Sequence, residues 1–237
     1  MKYVLAICMG ASIWITGCGA AEPPPEAPAP AAMARKASRP KSNMRVSGQL
    51  GSLDNRKVDQ TFDRLMPKFQ TCIVEGASRV EFLGGHMRFL VRIREDGSIK
   101  WAYVPETTVG DRDTEKCMLA AIRGASWPPP IDGEGQAEKT FDFDPSPDVR
   151  DPVPWTSDRV AGALAQGRPK LAECTRGVRG RYRATAYVQT NGSVISAGVA
   201  PPDERGEQTA DCVANAIKEL KFPSPGSWPA KVTFEVD

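Results

Sequence analysis

Four cysteines are the residues whose type and spacing most clearly suggest chemistry, namely Cys72, Cys117, Cys174 and Cys212. Thiols can form disulfides, exchange with other thiols or bind zinc. Redox sites typically use a C-x-x-C spacing and zinc sites use close pairs of ligands, and neither spacing occurs among these four. Their even number favours disulfide bonds in an exported protein, and four thiols allow three different pairings.

Other groups capable of chemistry are sparse. His86 is the only histidine of the chain, and a lone histidine is more often a surface residue than a catalytic base. Carboxylates alternate with phenylalanine at Asp142 and Asp144 and again at Glu235 and Asp237. This alternation predicts the solvated face of a half-buried strand. The chain has neither a G-x-S-x-G nucleophile motif nor a G-x-x-x-x-G-K phosphate loop, so we expect no enzyme, no cofactor and no metal site.

Three arginines occupy alternate positions at Arg179, Arg181 and Arg183. Alternation in an extended chain places the three side chains on one face. Like charges so arranged repel one another, which favours a polyanionic partner such as a lipid headgroup, a lipopolysaccharide phosphate or an acidic peptide. The solvated face of a sheet remains the simpler alternative. The formal net charge of +2 gives no reason to expect binding to nucleic acid.

The chain contains the same pattern twice. A constant separation of 95 residues joins Ile93 to Val188, Cys117 to Cys212, and Trp127 to Phe222. A fixed offset across separate features indicates an internal duplication. We therefore expect two tandem domains, one over residues 51–147 and one over residues 148–237.

The duplication also bears on the cysteine pairing. Each unit must have been stable before it was copied, which favours one bridge inside each repeat, Cys72 with Cys117 and Cys174 with Cys212. By the loop-entropy argument each bridge would stabilise its repeat by up to about 4 kcal/mol. That is comparable with the whole stability of a small domain. We interpret the four cysteines as structural disulfides, with redox exchange or zinc binding as the alternatives.

Each repeat shows the same order of predicted elements. A helix with apolar residues spaced by three and four precedes the first cysteine, and Pro67 is expected to kink or divide it. Alternating apolar runs flank Asp96-Gly97 and Asn191-Gly192, which are turn sequences of β-hairpins. A second helix and a closing strand follow. We expect an α+β fold of two tandem domains, each helix–strand–strand–helix–strand, with a three-stranded antiparallel sheet on two helices.

The N-terminus predicts export. Lys2 precedes an apolar stretch that is too short to span a bilayer, and this stretch ends in Ile-Thr-Gly-Cys at Cys18. That ending resembles the lipobox of bacterial lipoproteins, which implies that residues 1–18 hold the signal peptide and the lipidated Cys18. An ordinary secretory signal is the alternative. Gly19 in place of an aspartate favours the outer membrane, and the Pro- and Ala-rich residues 19–50 predict a tether.

The two repeats resemble the AgmX/PglI C-terminal domain family, a module of envelope and gliding-motility proteins similar in fold to the TonB C-terminal domain. The resemblance covers about Asp54–Asp144 and Asp158–Asp237. It rests on Cys72, Gly97, Cys117, Trp127-Pro128-x-Pro130 and Phe141 in one copy, and on Cys174, Gly192, Cys212, Phe222-Pro223-x-Pro225 and Phe234 in the other. It implies an interaction module without chemistry of its own. TonB carries an inner-membrane helix where this chain has a lipid-anchor signal, which argues against energy transduction.

These observations predict a lipid-anchored protein of the cell envelope, at the outer membrane and facing the periplasm. We expect a non-enzymatic interaction or scaffold module whose partner is another envelope protein, bound by adding a strand to a sheet edge. The alternative is a structural lipoprotein that contacts peptidoglycan or anionic lipid through the three alternating arginines. A nucleic-acid partner is not expected.

Overall fold

A computed structural model describes residues 50–145 and 148–237 of the chain. The predicted signal peptide, Cys18 and residues 19–49 of the predicted tether lie outside the described residues. Among the residues that are described, no helix is both long enough and apolar enough to cross a membrane.

The first repeat has the predicted order of elements: α1 (Asn55–Ala77), β1 (Gly85–Ile93), β2 (Ile99–Thr107), α2 (Arg112–Arg123) and β3 (Gly135–Phe143). The expected division at Pro67 does not occur, because α1 is one helix of 23 residues that includes this proline. Buried Phe62 and Phe69 lie on either side of Pro67. Packing of this apolar face supports the helix across the hydrogen bond that proline cannot make.

The second repeat comprises β4 (Val153–Trp155), a 3-10 helix at Ser157–Val160, α3 (Ala161–Cys174), β5 (Tyr182–Val188), β6 (Val194–Ala200), α4 (Ala210–Lys218) and β7 (Ala230–Val236). Its sheet corrects the prediction of three antiparallel strands. Four strands lie in the order β4-β7-β5-β6, and β4 is parallel to β7. The extra strand comes from the proline-rich connection between the repeats, where Val153 and Trp155 pack against the second core.

The sheet of the first repeat is antiparallel as predicted, in the order β2-β1-β3. Both predicted hairpin turns are present. Gly97 and Gly192 have φ angles of 82° and 83°, a region that glycine enters without steric cost. The Gly97 N–H donates to the Arg94 carbonyl at 2.9 Å, and Gly192 does the same to Gln189 at 2.7 Å.

Both predicted disulfides are confirmed. Cys72 is bonded to Cys117 and Cys174 to Cys212, with Cα–Cα distances of 5.7 Å and 5.5 Å. Each joins the two helices of its own repeat. The two cores differ in composition: the first is rich in aromatic side chains and the second is rich in alanine. The second repeat therefore has less apolar side chain to bury.

Residues 50–145 and 148–237 belong to one compact unit, and the two repeats contact each other where β6 lies against β2 and α2. The turn before α2 enters this contact. Asp111 accepts a 2.5 Å hydrogen bond from the Ser196 hydroxyl, and Arg112 donates to Glu207 at 2.6 Å. A methyl group on Gly198 would come within 2.8 Å of the Gly110 Cα, so only glycine permits this approach.

Glu115 is the most deeply buried acid of this inter-repeat contact. Its Oε2 accepts the Val199 N–H at 3.0 Å, while Arg112 lies 3.7 Å away. Burial raises the pKa of Glu115 to about 8 despite the opposing charge of Arg112. In the second repeat the equivalent position is Ala210. The contact thus uses residues that differ between the copies, whereas the repeated residues build each fold.

Candidate docking site

Strand addition requires a sheet edge with free backbone groups, and the two sheets together have four edges. The β6 edge is occupied, because the Val199 N–H is bound by the Glu115 carboxylate. The β2 edge lies beside β6, and the Ala102 carbonyl in β2 accepts a 2.9 Å hydrogen bond from Arg123. The contact between the repeats therefore covers one edge of each sheet.

The β4 edge is short and contains a proline. Val153 donates its N–H to the Pro229 carbonyl next to β7, so the neighbouring residue, Pro154, points its backbone away from the sheet. Proline has no N–H to offer an added strand, and edge strands of natural sheets often carry it for that reason. Beyond β4, the 3-10 helix at Ser157–Val160 contacts β7.

The outer edge of β3 differs from the other three. At its start the Gly51 N–H reaches the Glu134 carbonyl at 2.9 Å, so Glu134 faces outward. Backbone direction alternates along an antiparallel strand, and the outward positions are therefore Gln136, Glu138, Thr140 and Asp142. Within the part of the chain that the structure describes, no backbone or side chain bonds these four positions on the outer side. The β3 edge is open over most of its length.

The open edge carries a charge on its helix-facing side. Lys139 bonds Asp59 of α1 at 2.8 Å and lies 5.6 Å from the centre of the Phe62 ring. An inward-pointing lysine on an edge strand hinders edge-to-edge pairing between identical sheets. This side chain therefore selects against self-association while leaving the outward backbone groups available to a different chain.

A cleft adjoins the end of β3. Its volume is about 690 Å³, which is within the usual range of ligand pockets. Four segments line it: the loop Phe82–His86 before and into β1, the end of β3 at Asp142–Pro145, the segment Asp151–Trp155, and Lys231 with Thr233 of β7. The cleft is therefore built from both repeats, and its lining includes the last two residues of β3, Asp142 and Phe143.

Lys231 contributes the amine of this cleft. Its Nζ donates to the Gly84 carbonyl at 2.7 Å and lies 5.2 Å from the centre of the Tyr187 ring. Burial lowers the pKa of Lys231 to about 8, against the attraction of Asp151. The amine therefore stays mostly protonated at pH 7 and loses its charge as the pH rises through about 8, and its N–H groups are directed at a carbonyl.

The fixed charges of the cleft are negative. Asp142, Asp144 and Asp151 are exposed side chains on its lining, and none of the three forms a salt bridge within the described ranges. His86 is held by two neighbours: its Nδ1 lies 3.1 Å from the Thr108 hydroxyl and its Nε2 lies 3.4 Å from Glu106. The cleft combines unpaired carboxylates with aromatic walls.

The three arginines predicted to share one strand face do not all lie in a strand, although Arg181 and Arg183 are both next to Glu235. Only Arg183 lies in β5, which begins at Tyr182, because Gly177 and Gly180 adopt positive φ and turn the chain before the strand. Arg181 is paired with Glu235 at 2.7 Å and with Asp237 at 3.1 Å. Arg183 lies 3.9 Å from Glu106. Arg179 is exposed outside the strand, and the charge of the group is partly neutralised.

The predicted solvent exposure of Asp142, Asp144, Glu235 and Asp237 is confirmed. The cleft itself was not predicted, since its lining comes from segments far apart in the chain. Over residues 50–145 and 148–237 no group of three or more His, Cys, Asp or Glu side chains could hold a metal ion. Comparison of the sequence with protein-family models, with curated proteins and with solved structures gives no match.

Proposed function

We propose that this protein is a non-enzymatic, lipid-anchored interaction module of the cell envelope that captures an extended segment of another envelope protein. The segment would add as a strand to the outer edge of β3. The observation that carries the proposal is the contrast among the four sheet edges, of which only the β3 edge combines length with outward backbone groups that the described residues leave unbonded.

The wider setting of the proposal comes from the sequence. The resemblance to the AgmX/PglI C-terminal domain and to the TonB C-terminal fold supports two tandem interaction domains, and the two disulfides suit an oxidising compartment. The lipobox-like sequence at Cys18 supports attachment to the outer membrane on its periplasmic side. Incorporation of labelled palmitate that is lost in Cys18→Ser would test the lipid anchor, and incorporation that persists would refute it.

Contact with peptidoglycan or anionic lipid through Arg179, Arg181 and Arg183 is the weaker alternative. Ion pairs already hold Arg181, and an arginine paired with two carboxylates offers less charge to a polyanion. The β3 edge presents main-chain groups that give affinity for any extended segment. We therefore favour a protein partner.

Site-specific photo-crosslinking in intact cells tests the proposal. A crosslinking residue at Gln136 or Glu138, both exposed on β3, should yield one defined protein adduct, whereas the same residue at Arg179 should yield none. Adducts from Arg179 alone, or recovery of peptidoglycan alone, would contradict strand addition at β3.

A proline substitution on β3 tests whether the backbone N–H groups of this edge bind the partner. Thr140→Pro removes an outward N–H while leaving the bonds to β1 in place, and proline is tolerated on edge strands. The adduct should be lost in Thr140→Pro and kept in Thr140→Val, which changes the side chain but retains the N–H. Equal adduct yields in both variants would show that main-chain bonding is not the mode of capture.

A further inference from the structure

We infer that the cleft beside β3 binds a basic side chain, lysine or arginine, of the segment captured on that strand. The inference rests on the proposed function for the identity of the occupant. The last two residues of β3, Asp142 and Phe143, line the cleft, so a segment added along this strand ends beside it.

The carboxylates determine the sign of the ligand. Asp142, Asp144 and Asp151 line the cleft and have no cationic partner within 4.0 Å among the described residues. Other acids near the same sheet are paired, such as Glu134 with Arg92 at 2.9 Å. Three unpaired carboxylates around one cavity produce a negative potential that attracts a cation and repels an anion.

Among the described residues of the cleft one lysine faces three carboxylates, so it offsets only part of their charge although Asp151 attracts it. The Lys231 ammonium is directed to the Gly84 carbonyl at 2.7 Å and lies in the wall formed with Tyr187. It makes no salt bridge with Asp142, Asp144 or Asp151 within the described ranges. The carboxylates remain available to an incoming charge.

The apolar lining suits the stem of a long basic side chain. Phe82, Phe143 and Trp155 contribute aromatic rings to the cleft, and Pro145, Pro152 and Pro154 contribute flat apolar faces. Lysine and arginine bury their methylene stems along such surfaces and keep the charged end near polar groups. Aromatic faces also attract cations. A neutral aliphatic side chain would fill the same space but leave the carboxylates unpaired.

Titration of the full chain in detergent with n-butylammonium tests the cleft separately from the edge. Nuclear magnetic resonance should show saturable shifts at the Trp155 indole N–H and the Phe143 amide, and n-butanol of equal concentration should shift them much less. Asp142→Asn/Asp144→Asn should weaken n-butylammonium binding about fivefold, as expected for two partly exposed charge pairs. Glu75→Gln/Glu95→Gln, which removes two exposed charges that do not line the cleft, should leave n-butylammonium binding unchanged.

The same titration separates failure of this inference from failure of the proposed function. Absence of shifts at Trp155, or equal shifts with n-butanol, would overturn the cleft as a cation site whatever binds to β3. In Thr140→Pro the n-butylammonium shifts should persist, because the substitution removes a backbone N–H of the β3 edge and leaves the carboxylates of the cleft in place. Loss of these shifts in Thr140→Pro would contradict a separate cleft site.

A peptide pair tests the link between the two sites. Labelled peptides of alternating threonine and valine that end in lysine or in norleucine differ only in one charge, and anisotropy gives their affinities. The lysine peptide should bind about fivefold more tightly, and Asp142→Asn/Asp144→Asn should abolish the preference. Equal affinities would overturn the inference. Shifts by n-butylammonium without binding of either peptide would instead contradict edge capture and leave the cation site standing.

Discussion

The closing strands of the two repeats, β3 and β7, occupy equivalent positions but have different neighbours. β7 is covered over Ala230–Val232 by the proline-containing β4, while among residues 50–145 and 148–237 the outer side of β3 has one backbone contact, from Gly51 to Glu134 at its start. One copy thus keeps an open edge that the other has closed. The two repeats have similar folds, and the segment that precedes each closing strand differs: β4 pairs with β7, whereas Gly51 bonds Glu134 just before β3.

The residues that form the contact between the repeats also differ between the two copies. It buries the β2 and β6 sides of the two sheets, through Asp111, Glu115 and Gly198, whose equivalents in the other copy are Gly206, Ala210 and Tyr103. The contact therefore depends on positions at which the two repeats differ. The second repeat then acts as a support that holds one wall of the cleft, including Lys231 and Trp155.

Removal of the disulfide of the second repeat should have the largest effect on the difference in stability between the two repeats. Cys174→Ala/Cys212→Ala is expected to lower the free energy of unfolding by about 2–5 kcal/mol. Because the second core is rich in alanine, we expect urea to unfold this repeat first, in a separate transition followed by tryptophan fluorescence. The matched Cys72→Ala/Cys117→Ala variant should lose similar stability but unfold in one transition. The reverse assignment would contradict the supporting role of the second repeat.

The buried Glu115 predicts a pH dependence. Its pKa is raised to about 8, so the folded chain holds a proton that the unfolded chain releases. The stability it contributes is complete below the unfolded pKa and is lost as the pH rises towards 8. Glu115→Gln should therefore gain stability over the wild type between pH 5 and pH 9, by at most about 4 kcal/mol.

Urea unfolding at several pH values checks this dependence. Glu81→Gln, at an exposed glutamate, is the control and should show a constant difference from the wild type. A difference for Glu115→Gln that does not grow with pH would show that Glu115 is ionised in the folded protein.

Gly198 tests the fit of the contact between the repeats. Gly198→Ala places a methyl group against Gly110 and the Glu115 carboxylate, and overpacking of this kind costs about 1–3 kcal/mol. The variant should weaken the coupling of the two repeats, seen as a broadened urea transition. Gly162→Ala, where nothing lies within 4 Å of the added methyl, should be neutral or stabilising. Equal behaviour of the two variants would contradict the close approach.

The smallest effect on stability is expected at the closed edge. Pro154→Val restores an outward N–H on β4 and should change the free energy of unfolding by less than about 0.5 kcal/mol. With this N–H the β4 edge should resemble the β3 edge but without its inward-pointing lysine, which hinders pairing between identical sheets. Sedimentation should therefore reveal concentration-dependent self-association of the variant. A strictly monomeric Pro154→Val at high concentration would show that proline is not what closes this edge.

Much of each fold could be predicted because local signals repeat. The turn sequences at Gly97 and Gly192, the helix faces and the cysteine pairs all depend on residues close in the chain or fixed by the 95-residue offset. β4 could not be predicted, because proline within Val153–Trp155 is typical of a linker and its pairing depends on the packing of Trp155 in three dimensions.

The candidate site was less accessible to sequence reasoning. Strand addition was expected, but which edges are covered depends on the contact between the repeats and on the pairing of β4 with β7, and no local pattern encodes either. One signal was present. Positions 95 residues apart hold different residue types in three places that matter for the contact and the cleft. These pairs are Glu115 and Ala210, Tyr103 and Gly198, and Gln136 and Lys231. The alternating arginines suggested one continuous strand, whereas the chain turns at Gly180 and enters β5 only at Tyr182.

Residue-resolved amide hydrogen exchange in the full chain tests the open edge most directly. The outward amides of Glu138 and Thr140 should exchange at least about a hundredfold faster than the Val199 amide, which Glu115 binds, because exchange requires only that an amide be unbonded. They should slow when the captured segment is bound, while Val199 stays unchanged. Amides at Glu138 and Thr140 that are as protected as Val199 in the free protein would contradict the account.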